Sequence, residues 1–120
     1  MTNVERIDEA VSAHTHWFIK LRVAIIEGSS QFKPEIVRTD TNCDFGNWLY
    51  GDFPREVAGS HLLAEIRALH SEFHKEAAHI LELAIAGKKD EALSLLDDDS
   101  KIRKCSADLL NRLSILKSSC

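Results

Sequence analysis

Two long amphipathic patterns, each with histidine in the middle of its apolar stripe, constrain this 120-residue chain more than any other feature. From about Asn3 to Glu27 apolar residues recur at helical spacing, and Asn3 or Thr2 suits the cap that opens such a helix. At about 100° per residue, His14 falls within roughly 60° of Ile7, Val11, Phe18, Leu21 and Ile25. His16 lies on the opposite, polar side with Glu5, Glu9, Ser12 and Lys20. The second pattern runs from about Arg55 to Ala86 and stops at Gly87, a residue suited to the position just past a helix C-terminus. There His70 and His74 are about 40° apart, among Leu63, Ile66, Phe73, Ala77, Leu81 and Ala84. His61 and His79 share the opposite face with Glu65, Glu72 and Glu76. The six histidines therefore divide into three that face inward and three that face water.

The rest of the chain agrees with an all-α architecture. With only Pro34 and Pro54 and five glycines, little interrupts helix formation. Gly28-Ser29-Ser30 ends the first helix, and residues 28 to 42 read as a loop in which Pro34 to Arg38 can form one helical turn. A short helix is expected from Asn42 to Tyr50, capped by Asn42 and broken by Gly51 and Pro54. After the second long helix come a short one from Lys89 to Leu96, a break at Asp97-Asp98-Asp99-Ser100, and a last helix from Ser100 to Lys117. Its stripe is Ile102, Cys105, Leu109, Leu113 and Leu116. The expectation is a four-helix-bundle-like fold with a short extra helix, in one domain spanning residues 1–120.

A formal charge of −4 and the lack of a basic stripe give nucleic acid no electrostatic footing. No apolar run reaches the roughly 18 residues of a membrane span, and the N-terminus does not read as a signal peptide. Three cysteines, an odd number, argue for available thiols rather than a disulfide framework. A cytoplasmic location is expected.

Burying three imidazoles costs several kcal/mol unless their nitrogens find partners, with magnitudes of about 1–3 kcal/mol per orphaned group. One cation supplies a partner to all three. Cys43, in the segment Cys43-Asp44-Phe45-Gly46-Asn47-Trp48, offers a thiolate to complete the set, with Phe45 and Trp48 placed to pin the segment against the bundle. One thiolate and three imidazoles form a closed tetrahedral sphere for zinc, and such a sphere suits structure or sensing because catalytic zinc keeps a position open for water. No enzymatic activity is expected. On its own the Cys43 segment reads first as a cysteine buried in a hydrophobic stretch.

The arrangement His14-x-x-Trp17, Cys43-x-Phe45-Gly46-x-Trp48 and His70-x-x-x-His74 resembles the signature of the chemoreceptor zinc-binding (CZB) domain family. The separations also match, with 28 residues between His14 and Cys43 and 26 between Cys43 and His70. The resemblance implies that His14, Cys43, His70 and His74 are the zinc ligands and that Trp17, Phe45, Gly46 and Trp48 are packing and turn residues. It further implies a bacterial signalling role, in which such domains report zinc or oxidants, including hypochlorous acid, to chemotaxis receptors or diguanylate cyclases. No methyl-accepting hairpin and no GGDEF sequence follows Leu116, and the initiating Met is expected of an N-terminal or complete protein. Oxidation of Cys43 is the expected switch, and Asp44 is the nearest carboxylate to support the centre.

Three features lie outside that signature. Ile19, Val23 and Ile26 point away from His14, toward either a second copy of the chain or the neighbouring loop and last helix. Cys105 reads as a small core residue and Cys120 as a free terminal thiol. A zinc hydrolase fails because Glu72 lies about 200° from His70 and is no general base for a metal held there. A di-iron bundle or a metal-free helical binding module is the alternative, but His61 and Glu65 face away from His70 and His74.

Overall fold

The computed structural model describes residues 2–39, 43–51 and 59–120. Among them lie helices α1 (Asn3–Glu27), α2 (Pro34–Val37), α3 (Asp44–Leu49), α4 (Ser60–Ile85), α5 (Lys89–Ser94) and α6 (Lys101–Ser118), and no strand. The all-α, bundle-like class is as expected. Three long helices supply its staves: α4 packs on both α1 and α6, and α1 also meets α6. The short helices fill the remaining side, α2 on α4, and α3 and α5 each against both α1 and α4.

The helix ends follow local chemistry. Thr2 accepts a hydrogen bond from the Glu5 amide at α1, and Ser100 accepts one from the Arg103 amide at α6. Gly28 and Gly87, at φ 69° and 77°, take the left-handed conformation that ends α1 and α4 without the Cβ penalty of other residues. The second long helix begins at Ser60 rather than Arg55. Gly59 holds an extended ψ of 151° at its N-cap, so no continuous helix crosses that position. The expected cap at Asn42 and break at Pro54 lie outside the described residues. Cys43 itself occupies the N-cap of α3, with φ −100° and ψ 137°.

The core divides along the bundle axis. One apolar cluster contains Leu21, Ile25, Phe73, Ile80, Leu81 and Ile102; the other contains Ile7, Phe45, Ile66, Leu109, Leu113 and Leu116. His14 on α1 and His70 on α4 fall between these clusters in chain order, so the inward histidines form a polar layer between two apolar ones. The predicted stripe of α6 is buried throughout. Ion pairs decorate the outside, Lys117 with Asp8 and Arg112 with Glu65, and each contributes little in high dielectric.

Two positions on α6 give a sharp contrast. Leu113 is fully buried and Ile115 is 46% exposed. Leu113→Ala is expected to cost about 2–5 kcal/mol and Ile115→Ala no more than about 0.5 kcal/mol, both measured by equilibrium denaturation with zinc held constant.

Candidate metal centre

His14, Cys43, His70 and His74 come together in the polar layer, with one ligand atom from each lying within 4.8 Å of every other. The three histidines are 2%, 0% and 4% exposed, while His16, His61 and His79 face solvent. The inward and outward sorting by helical angle therefore holds for all six.

Hydrogen bonds set the tautomers. His14 donates from Nδ1 to the Ala10 carbonyl one turn earlier at 2.6 Å, and His74 donates from Nδ1 to the Val37 carbonyl at 2.8 Å. A carbonyl only accepts, so both rings carry their proton on Nδ1 and turn an Nε2 lone pair inward. His70 Nε2 lies 2.9 Å from His14 Nε2 and 3.1 Å from His74 Nε2. A single N–H on His70 has only one well-aligned direction and cannot serve both neighbours. Cys43 Sγ sits 4.0 Å from His14 Nε2. Tetrahedral zinc with bonds of about 2.1 Å to nitrogen and 2.3 Å to sulfur has ligand–ligand edges of roughly 3.4–3.6 Å. The observed separations straddle those edges, and the donor set of three neutral imidazoles and a thiol is one that zinc takes. The residues fit the ion.

The surroundings make the layer stiff on one side and accessible on the other. Phe45 meets both His14 and His70 edge-on, with centroids 5.9 and 5.3 Å apart, and stacks on Trp48 at 5.6 Å. Phe73 supports His14 from the other cluster at 5.3 Å. Cys43 alone of the four is half-buried, and with His14, Arg6, Glu9 and Trp48 it lines a cleft of about 190 Å³. Trp17 lies elsewhere, against Phe32 and under the Lys20 ammonium.

The supporting partners found for His14 and His74 are backbone carbonyls rather than carboxylates. The side chain of Asp44 lies outside the described residues. Ala10 was open to prediction, being four residues before His14 on the same helix. Val37 was not, because nothing local marks its carbonyl as a partner for His74. Glu72 faces Lys101 on α6, with Nζ at 3.3 Å, and His61 pairs with Glu65 at 2.7 Å, so neither rival arrangement reaches the buried layer. Cys105 donates to the Leu69 carbonyl and its thiol is pushed up to about 11 by burial. It behaves as the small core residue expected.

Burial lowers the His14 pKa to about 4 and that of His70 to about 2, with neighbouring charges adding to the effect. Both rings are thus neutral when folded, whereas the unfolded chain takes up protons as pH falls through the unperturbed value near 6.5. Their contribution to stability is fully present above that value and is lost as pH drops toward 4 and below. Metal-free protein should lose on the order of 1–3 kcal/mol per pH unit between about pH 6 and 5. A flat denaturation midpoint over that interval contradicts the assigned burial.

Comparison with known families matches the chain at residues 14–81 to the chemoreceptor zinc-binding domain, a stretch that begins at His14 and includes all four converging residues. Neither the curated proteins nor the solved structures contain a match to the chain. Three inward imidazoles and a thiol at the right separations, in an all-α bundle that the family model covers over more than half its length, show that the chain belongs to the chemoreceptor zinc-binding domain family, a family of zinc-binding regulatory domains.

Proposed function

We infer that residues 1–120 form one zinc-binding sensor domain, with His14, Cys43, His70 and His74 as the ligands and the Cys43 thiolate as an oxidant-sensitive switch. The observation that carries the reading is the convergence of three Nε2 atoms, two of them bearing lone pairs because backbone carbonyls hold the ring proton on Nδ1, beside one half-buried thiol. Inclusion of the last helix in the same unit is supported by its packing on α1 and α4.

Bound there, zinc would tie α1, α3 and α4 together and keep the sulfur in its thiolate form. The chain's own residues supply the rest. His14, His70 and His74 are held by two long helices and two backbone hydrogen bonds, so they stay in place. Cys43 sits at the N-cap of a six-residue helix and borders a cleft open to small molecules. A two-electron oxidant such as hypochlorous acid or a peroxide transfers an oxygen atom to the thiolate, giving a sulfenate as the oxidant is reduced to chloride or water. The modified sulfur is a weaker ligand, and the Cys43 end of α3 is released from the three imidazoles. That displacement is the signal.

The listener is an output domain or protein of the chemoreceptor or diguanylate cyclase type, in the bacterial cytoplasm. Family membership supports the first part, and three unpaired cysteines suit a reducing compartment. Homodimerisation is supported by the stripe Ile19, Val23 and Ile26 on α1, which is 57%, 46% and 63% exposed among the described residues. Ile26→Lys should then shift a dimer to monomer in sedimentation, and unchanged mass would rule out this face.

Metal content and oxidation test the centre itself. Wild-type protein from zinc-supplemented medium is expected to hold near one zinc per chain and the His70→Ala, His74→Ala double variant almost none; equal loading would remove these residues from the site. With stoichiometric oxidant, wild type should change its tryptophan emission while Cys43→Ala does not. An equal response from both would show that another group is the switch.

A further inference from the structure

α3 is held at both ends by the same face of α4. Arg67 precedes His70 by three residues and His74 by seven, so all three project to one side of that helix. At the Cys43 end the hold is the thiol beside the imidazoles. At the other end Arg67 Nη2 donates to the carbonyl of Leu49, the last residue of α3, at 3.0 Å. Its guanidinium carbon also lies 4.7 Å from the centroid of the Tyr50 ring. Arg67 Nε is buried and has no hydrogen-bond partner among the described residues, so the Leu49 carbonyl is the acceptor seen for this guanidinium.

The need for such a hold is physical. A helix of six residues does not persist by itself, and α3 has no side-chain cap at its N-terminus. Its final carbonyls have no intrahelical partners, and a cation placed there meets the negative end of the aligned peptide dipoles. Leu49 is fully buried in the cluster with Ile66 and Leu113, which seats the same end of α3 in the core.

The geometry points to Arg67 as the pivot of the switch: a positioning residue that keeps the Leu49–Tyr50 end of α3 on α4 when Cys43 lets go, so that the segment swings instead of detaching. This rests on the reading that release of Cys43 is the signal, and it adds what limits the motion. A hinged α3 returns its sulfur to the same place on reduction and presents one altered surface, whereas a detached segment does neither.

The test places Trp48 as sole tryptophan by Trp17→Phe and mimics release with Cys43→Ala. In that protein the steady-state anisotropy of Trp48 should stay close to that of the Trp17→Phe parent. Adding Arg67→Met, which keeps length but removes charge and donor, should lower it roughly two-fold while far-UV circular dichroism stays unchanged. Anisotropy already lost in Cys43→Ala alone, or retained after Arg67→Met, overturns the pivot. Should Arg67→Met fail to fold, Tyr50→Ala in the Cys43→Ala background serves, because that ring is 46% exposed. It should lower the anisotropy, and no change overturns the proposal. Neither variant contains the thiolate, so the result reads the tether alone, and the zinc content of the parent separately tests the ligand assignment.

Discussion

Three imidazoles share one small volume at the waist of the bundle, where the packing of α1 on α4 brings them together. A layer of buried polar rings between two apolar clusters is unfavourable unless each nitrogen is satisfied. Backbone carbonyls of Ala10 and Val37 satisfy the outer nitrogens of His14 and His74. The inner Nε2 atoms are then left facing one another at 2.9 and 3.1 Å. A cation shared by these nitrogens would give all of them one partner, and the free energy of binding it would then add to the free energy of folding.

The four converging side chains are not equally secured. Three come from helices of 25 and 26 residues anchored in both apolar clusters, and the fourth from the start of a helix of six. Local stability follows length and burial, so the thiol stands on the element that moves at lowest cost. The thiol stands at the short element and the imidazoles on the two long ones.

The two short helices flanking the centre use one device. Each gives its last carbonyl to a side chain of α4: Val37 of α2 to His74, and Leu49 of α3 to Arg67. Short elements are thereby fixed to the bundle at their C-terminal ends, in place of a fourth long stave. An ion pair between Arg38 and Glu82 adds to the seating of α2, although both groups are about half exposed.

Most of the fold was legible because helical geometry is local. The stripe around His14, the stop at Gly28, the buried face of α6 and the division of six histidines all follow from periods of three and four residues and from a glycine's access to positive φ. The four metal-binding candidates were legible by composition and spacing. Their meeting was not, since His14 and His70 are 56 positions apart and only helix packing brings their Nε2 atoms within hydrogen-bonding distance. The start of α4 at Ser60 and the roles of the Val37 carbonyl and Arg67 likewise escaped periodicity. The residues on α4 carry the ordinary pattern of an amphipathic helix, and their partners lie on separate segments with no register to announce them. Sequence alone determined which side chains face the interior and which of those can bind a metal. Tertiary structure decided which nitrogen of His14 and of His74 faces inward and what holds the thiol's helix in place, because those depend on backbone atoms that identity and spacing do not encode.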